Sequence, residues 1–363
     1  MSKVYFTDFR TNPKADILTK LRRLLLKAGF DELDLEKKMT AIKIHFGEPG
    51  NMAFLRPNYA SVVAKMVKEK GGYPFLTDAN TLYKGRRSNA VDHLQTAMEN
   101  GFNVITTGCN VIIADGLRGT EYREIEINQK YCKTAKIGSA IADADVVIAM
   151  SHFKGHEMSG FGGCLKNIGM GSGAIGGKLE MHSDSKPEIA VQNCTACKVC
   201  ERNCAHDAIH IVDKKAQIDY SKCVGCGQCV SVCMFDAAQV HLDAKKMQEK
   251  MAEYALAVLK NKTSFHINFL MDISPNCDCW NFNDAALVPN IGILVSADPV
   301  AIDQASVDMV NQAPINFNCG IAGHNHSEDR FTSAHPNTDW RACLQHAEEI
   351  GLGSRKYELI KME

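Results

Sequence analysis

The sequence predicts an α/β protein, a mostly parallel sheet domain with helices on both faces, interrupted by a small inserted α+β domain. Short β-branched runs alternate with amphipathic stretches from residue 3 to about 150, and the alternation resumes after residue 244. Between the two parts lies a cysteine-rich segment that repeats its own spacing. Alternating strand and helix signals mean a parallel sheet, because each crossover must return over one of the sheet's faces.

The elements follow in order. KVYFTDF (3–9) reads as a strand, and Ala15 to Ala28 as a helix ended by Gly29. TAIKIHF (40–46) is a strand, Asn58 to Lys70 a helix stopped by Gly71-Gly72, and YPFLTDAN (73–80) a strand. Ser88 to Asn100 is a helix before Gly101, and NVIIADG (110–116) and DVVIAMSHF (145–153) are strands. Residues 155–178 are rich in glycine and read as loop or loop plus helix. Beyond the cysteines, Ala244 to Lys260 is a helix, TSFHINFLMDI (263–273) and NIGILVSA (290–297) are strands, and Ala301 to Val310 is a helix. The tail after Ala313 has mixed signals and no assignment. The expected organisation is a discontinuous α/β domain, 1–187 and 244–363, with an insert at 188–243 reached through the linker HSDSKPE (182–188).

Composition narrows the function classes. The 363 residues are 45% hydrophobic and 23% charged, with a formal net charge of −1. No segment is strongly basic, so nucleic acid is not an expected partner. No run of about 18 apolar residues suggests a membrane span, and MSKVYFTDFR lacks the apolar core of a signal peptide. The expected location is cytoplasmic. Fifteen cysteines, an odd number, argue against a disulfide framework, and eight of them fall between 194 and 233, which points to metal.

Those eight form two runs, Cys194-x2-Cys197-x2-Cys200-x3-Cys204 and Cys223-x2-Cys226-x2-Cys229-x3-Cys233, aligned at an offset of 29. The match extends to Asp207 with Asp236 and Ala208 with Ala237. Three closely spaced thiolates can cap three irons of one cube, while the fourth lies too far round and ligates the other cube. The spacing therefore predicts a two-[4Fe-4S] ferredoxin domain. One cluster falls on Cys194, Cys197, Cys200 and Cys233, the other on Cys223, Cys226, Cys229 and Cys204. Ala205 and Met234 replace the usual proline after the fourth cysteine, which removes no ligand. Paired zinc sites also use Cys-x2-Cys spacing, but two duplicated runs of four favour the cubes.

Three weaker patterns remain. Cys277 and Cys279, in Asn276-Cys-Asp-Cys-Trp280, are either ligands of a further metal or extra cluster iron, or a pair of small buried residues. Gly171-x-Gly173-x-x-Gly176 matches a dinucleotide fingerprint by letter, but no strand leads directly into it. The glycine-rich segment, with Gly163, Lys166, Asn167 and Gly171, reads as a ligand loop in preference to a flexible surface loop. Polar residues also gather after strands: His45 and Glu48, Asp78 and Asn80, His152, Lys154 and His156, then Asp272 and Asp298. Open parallel sheets bind ligands beyond the carboxyl ends of their strands, although a strand-end aspartate often only caps the next helix.

The chain resembles the uncharacterised prokaryotic "Fe-S center protein" family, a domain of unknown function with an inserted bacterial ferredoxin module. The resemblance rests on Ile44-His-Phe-Gly-Glu48, Ser151-His-Phe-Lys-Gly-His156, Gly162-Gly-Cys-Leu-Lys-Asn167, Pro275-Asn-Cys-Asp-Cys279 and Ala297-Asp-Pro-Val-Ala-Ile-Asp303. It covers nearly the whole chain up to about Val310. It implies the two-part architecture and the clusters, and names no substrate.

The expected function is low-potential electron transfer from two [4Fe-4S] clusters to a redox or ligand site on the α/β domain, as in a ferredoxin-linked oxidoreductase. The alternative is a non-catalytic carrier or cluster-handling protein whose large domain docks a redox partner protein. In the first case His45, His152 and His156 are acid–base groups or metal ligands, and Lys154 and Lys166 hold an anionic small molecule. Asp78 and Asp278 orient them or bind a cation. An additional metal or small-molecule cofactor is allowed for. No Cys-x3-Cys-x2-Cys run of the radical-SAM kind is present.

Overall fold

The structure is a computed structural model and describes residues 1–184, 186–235, 237–240, 244–322 and 329–362. Ser185 of the expected linker, Asp236 of the repeat and the domain boundary at 243 lie outside the described residues.

Eight strands form the main sheet, in the order Tyr357–Lys361, Ser2–Asp8, Gly292–Ser296, Thr263–Leu270, Val146–His152, Met39–Lys43, Tyr73–Asp78 and Asn110–Ile113. Val146–His152, near the centre, is buried at every position. Its side chains divide by the period of two that a strand imposes. Val147 and Ala149 join one core, beneath helices Cys164–Ser172, Ala244–Leu259 and Pro299–Gln312. Ile148 and Met150 join the other, beneath Ile17–Lys27 and Pro57–Glu69. Burial on both faces is why these strands read as continuous apolar runs.

The sheet is mostly parallel, with one exception. Gly292–Ser296 runs antiparallel to both of its neighbours. The sequence reading places a strand there without a direction. No described helix lies between Leu270 and Gly292, so the chain turns back without the crossover that a parallel neighbour needs. The unassigned tail supplies helix Arg341–Glu349 and the edge strand Tyr357–Lys361, parallel to Ser2–Asp8.

The glycine-rich segment is buried and ordered, not a surface loop. Lys154–His156 and Gly160–Gly162 pair as a short hairpin, then helices Cys164–Ser172 and Ile175–His182 follow. The fingerprint glycines straddle these two helices and no strand-to-helix turn, so the dinucleotide match has no structural counterpart. Gly169 marks a close crossing of Cys164–Ser172 over Ala244–Leu259: a Cβ there would lie 2.2 Å from the Met251 carbonyl oxygen.

The cysteine segment folds as two similar halves. Pro187–Ile189 pairs antiparallel with Ala238–Val240, and Ile209–Val212 forms a hairpin with Lys215–Ile218. Asp213 and Lys214, at φ of 50° and 59°, supply the two left-handed residues that a type I′ hairpin turn requires.

Gly169→Ala tests the helix crossing. Alanine is the better helix former, yet the backbone oxygen cannot move aside. We expect a loss of about 1–3 kcal/mol from overpacking, read as a lower midpoint in urea unfolding. An unchanged or raised midpoint contradicts the packing.

Candidate functional site: a cationic cavity at the sheet edge

Beyond the carboxyl ends of the central strands lies a cavity of about 50 Å³. Its wall includes Lys43, Arg87, Lys154, Lys166 and Lys178, against Asp78 as the sole carboxylate among its lining residues. Lys43 ends strand Met39–Lys43, and its ammonium lies 2.8 Å from Asp78 Oδ1 on the next strand, both almost fully buried. Burial opposes the Asp78 charge, but the Lys43 ammonium, and after it the Arg87 guanidinium, outweigh it and hold the carboxyl low. Arg87 Nε donates to Glu48 Oε2 at 2.8 Å. Its Nη2, also buried, has no hydrogen-bond partner among the described residues.

His152 Nδ1 faces Asp278 Oδ2 at 2.8 Å and its Nε2 faces the Met271 carbonyl at 2.8 Å. Burial would raise the Asp278 pKa, but His152 and Lys154 beside it hold the carboxyl low. Asn167 joins the helix to the sheet edge: its Oδ1 accepts from Lys43 Nζ at 2.9 Å, and its Nδ2 donates to the Lys43 and Met150 carbonyls. Lys178 reaches into the cavity from helix Ile175–His182 and donates to the Gly173 carbonyl. Burial lowers its pKa to about 8, against the pull of Asp115 and Asp78.

The Cys277 and Cys279 sulfurs lie 3.1 Å apart at the cavity's inner end. Lys166 Nζ donates to Cys277 Sγ at 3.5 Å. The hydrogen bond from Cys279, followed by the Lys166 and Lys154 charges, holds the Cys277 thiol low against its burial. His45 Nδ1 faces the Gly47 N–H at 3.0 Å, and its Nε2 faces the Arg87 guanidinium, which can only donate, at 2.9 Å, and Cys279 Sγ at 3.4 Å. Burial, and then Arg87, keep that ring neutral.

The expected site residues divide three ways. His45, Asp78, Lys154, Lys166, Asn167, Gly171 and Cys279 line the cavity. His156, Asp278 and Cys277 stand behind its wall, with His156 hydrogen-bonded to Cys277. Gly163 turns away from it: a Cβ there would meet Asp303 Oδ1 at 2.3 Å, so this glycine admits the carboxylate that caps helix Cys164–Ser172. Asp298 caps helix Pro299–Gln312 and Asp272 pairs with Arg56. Sequence reasoning missed Lys43, Arg87 and Lys178. A lysine inside the apolar run TAIKI was the available signal for Lys43.

The cysteine runs form two quartets. Cys204 lines one small cavity with Cys223, Cys226 and Cys229. Cys197, Cys233 and Cys194 surround Cys200, whose thiol is pushed up by burial and then by them. The two loops share a backbone: Ala196 and Lys198 have φ of 58° and 62°, and Gly225 and Gly227, 29 positions on, both 76°. Non-glycine residues in this region cost about 1–3 kcal/mol each. Backbone N–H groups of Ala216, Ala208 and Ala237 donate to Cys194, Cys204 and Cys233 sulfurs, each at 3.3 Å. No group of three or more His, Cys, Asp or Glu among the described residues is arranged to hold a metal ion.

The second quartet sits against the cavity wall. Cys226 packs on Tyr83, Cys277, Cys279 and Trp280. Gln228 exchanges hydrogen bonds with the Lys84 backbone, at 3.0 Å and 3.3 Å. Gly227 lies so close to Met158 that a Cβ would come within 2.2 Å of its sulfur.

Fold and site together define a mostly parallel α/β protein with a cationic pocket at the sheet's carboxyl edge and a cysteine-rich insert packed beside it. The chain belongs to the DUF362 family, a domain of unknown function, over residues 40–308. No curated protein matches it in sequence. Among solved structures it is similar to the lactate racemase apoprotein of Thermoanaerobacterium thermosaccharolyticum, with 12% identity and a TM-score of 0.32 over 75% of this chain and 51% of that one. A Thermotoga maritima protein is similar at 10% identity and a TM-score of 0.42, over 82% of this chain and 58% of that one. The chain thus spans little more than half the length of either.

Asp78→Asn probes the charge balance. Removing one partner of a buried ion pair leaves the other uncompensated and costs about 3–5 kcal/mol. We expect the variant to unfold at markedly lower denaturant, and Lys43→Met with Asp78→Asn to recover part of the loss. A double variant no more stable than Asp78→Asn alone would remove Lys43 as the group at stake.

Proposed function

We propose that this chain binds two [4Fe-4S] clusters and passes low-potential electrons to a small anion held in the sheet-edge cavity. One cluster is held by Cys194, Cys197, Cys200 and Cys233, the other by Cys223, Cys226, Cys229 and Cys204. The observation that carries the reading is the seat of Cys226, at once a member of one cysteine quartet and a neighbour of the side-chain cluster that holds Tyr83 and Cys279 of the cavity wall.

The donor set suits the clusters. Each quartet is all-cysteine, and its fourth member comes from the opposite run, the crossing that two-cluster ferredoxin spacing demands. Thiolates not gathered around one point suit a cube, which takes each at a separate iron, better than a single ion. When bound, such a cluster supplies a one-electron donor whose potential is set partly by hydrogen bonds to sulfur. The protein contributes three of these from Ala208, Ala216 and Ala237. Five cationic side chains around the cavity, with one Arg87 nitrogen lacking a partner, support an anionic ligand. Tyr83 and Trp280, rings 5.0 Å apart, cover the side facing the cysteine module.

Two measurements test the reading. Anaerobically reconstituted protein should hold about eight irons per chain, with potentials on the order of −400 mV. Cys204→Ser should alter the EPR signal of the cluster on Cys223, Cys226 and Cys229 and leave the other intact. Disturbance of the Cys194 cluster instead would defeat the assignment.

The anion site has a pH signature. Lys178 is charged below about pH 8 and neutral above it. A bound anion favours the charged amine, so affinity for sulfate, used as the probe, should weaken as pH rises through about 8, by up to about tenfold per unit. Lys178→Met should bind sulfate more weakly at pH 7 and lose that dependence. A wild-type affinity flat from pH 7 to 9 would dismiss Lys178 as part of the anion site.

A further inference from the structure

We propose that Cys277 and Cys279 are a reversible dithiol–disulfide couple that stores two electrons at the inner end of the cavity for a small anionic two-electron acceptor. The proposal rests on the preceding reading in one respect, that the cysteine module is the low-potential electron donor.

Geometry carries it. The sulfurs are 3.1 Å apart, and a disulfide bond of about 2.05 Å needs them only about 1 Å closer. The single residue between the cysteines is anchored, since Asp278 is held by His152 at 2.8 Å and approached by Lys154 at 3.7 Å. Both thiols are buried, and Cys279 lines the cavity where a ligand would sit. A cation, Lys166, lies 3.5 Å from Cys277 Sγ. A fixed ammonium stabilises a thiolate and opposes binding of a metal cation beside it. Cys226 touches the same cluster of side chains, so the electron source adjoins the couple.

The chemistry balances. Reduction breaks the Cys277–Cys279 S–S bond with two electrons, taken one at a time, and one proton, leaving the Cys277 thiolate beside Lys166 and the Cys279 thiol. Oxidation re-forms the bond, and the two electrons and the Cys279 proton pass to the acceptor in the cavity. The His45 imidazole lies beside the couple, its Nε2 3.4 Å from Cys279 Sγ and 2.9 Å from the Arg87 guanidinium.

The test is an anaerobic reductive titration of the whole protein, with alkylation and mass analysis of the peptide holding both cysteines. From the oxidised state the wild type should take up about four electrons, two for the clusters and two for the couple, and Cys277→Ser about two. The oxidised wild-type peptide should resist alkylation and the reduced one should carry two labels. This second readout needs no variant, so a Cys277→Ser chain that fails to fold leaves the test standing. Uptake of two electrons with both cysteines alkylated in the oxidised protein overturns the couple and leaves the clusters intact. Metal beyond about eight irons, lost on changing Cys277 and Cys279 to alanine, also overturns it, in favour of ligation. If no cluster assembles but the peptide still converts, the couple stands and the module's role as donor falls.

Discussion

Balancing buried charge at the carboxyl edge of the sheet is the constraint on which the rest of this structure depends. Lys43 ends a central strand with its side chain almost completely out of water. Its nearest compensation comes from the next strand, as Asp78. Arg87 is matched by Glu48, and His152 by Asp278. Each pair joins segments far apart in sequence, and a buried charge without its partner is costly. The pairs therefore fix where the loops after the strands run. The cavity is the place where this matching falls short, with more ammonium and guanidinium groups than carboxylates around one small space. The proposed anion would offset that imbalance.

The position of the cysteine module follows from the chain path. Strand Val146–His152 delivers the chain to the sheet edge, and the hairpin and two helices that follow pack there before the module begins. Helix Ile175–His182 ends with His182 hydrogen-bonded to Gly225, inside the second cysteine loop. Gly227 accepts Met158 where any side chain would collide, and Gln228 locks to the backbone at Lys84. These contacts place Cys226 against the wall that contains Cys279. The module and the cavity are thus built as one unit, and the loop from Pro275 to Trp280 belongs to both.

How much of this was legible in the sequence depends on the distance over which each feature is encoded. The cysteine runs are local: three cysteines within seven residues, a fourth four positions on, and a copy 29 positions later. Such spacing implies its geometry whatever surrounds it, and the left-handed residues at matching places in both loops are the backbone form of that repeat. Strands and helices of the sheet domain were legible for the same reason, since period and end signals act within a dozen residues. The direction of strand Gly292–Ser296 was not legible, because an apolar run carries no direction. The absence of a helix ahead of it was the signal.

The sequence by itself determined the class of sheet, the duplicated cysteine loops and the polar residues that follow the central strands. Tertiary structure alone decided which of those residues meet. Lys43, Arg87 and Lys178 joined Asp78 through strand order and helix docking, and no local pattern ties positions 43, 87 and 178 together. It also decided that the glycine-rich segment is core. Composition cannot separate a glycine that loosens a loop from one like Gly169, which lets two helices touch backbone to backbone. Both have the same missing side chain, and only the neighbour brought there by the fold shows what that absence is for.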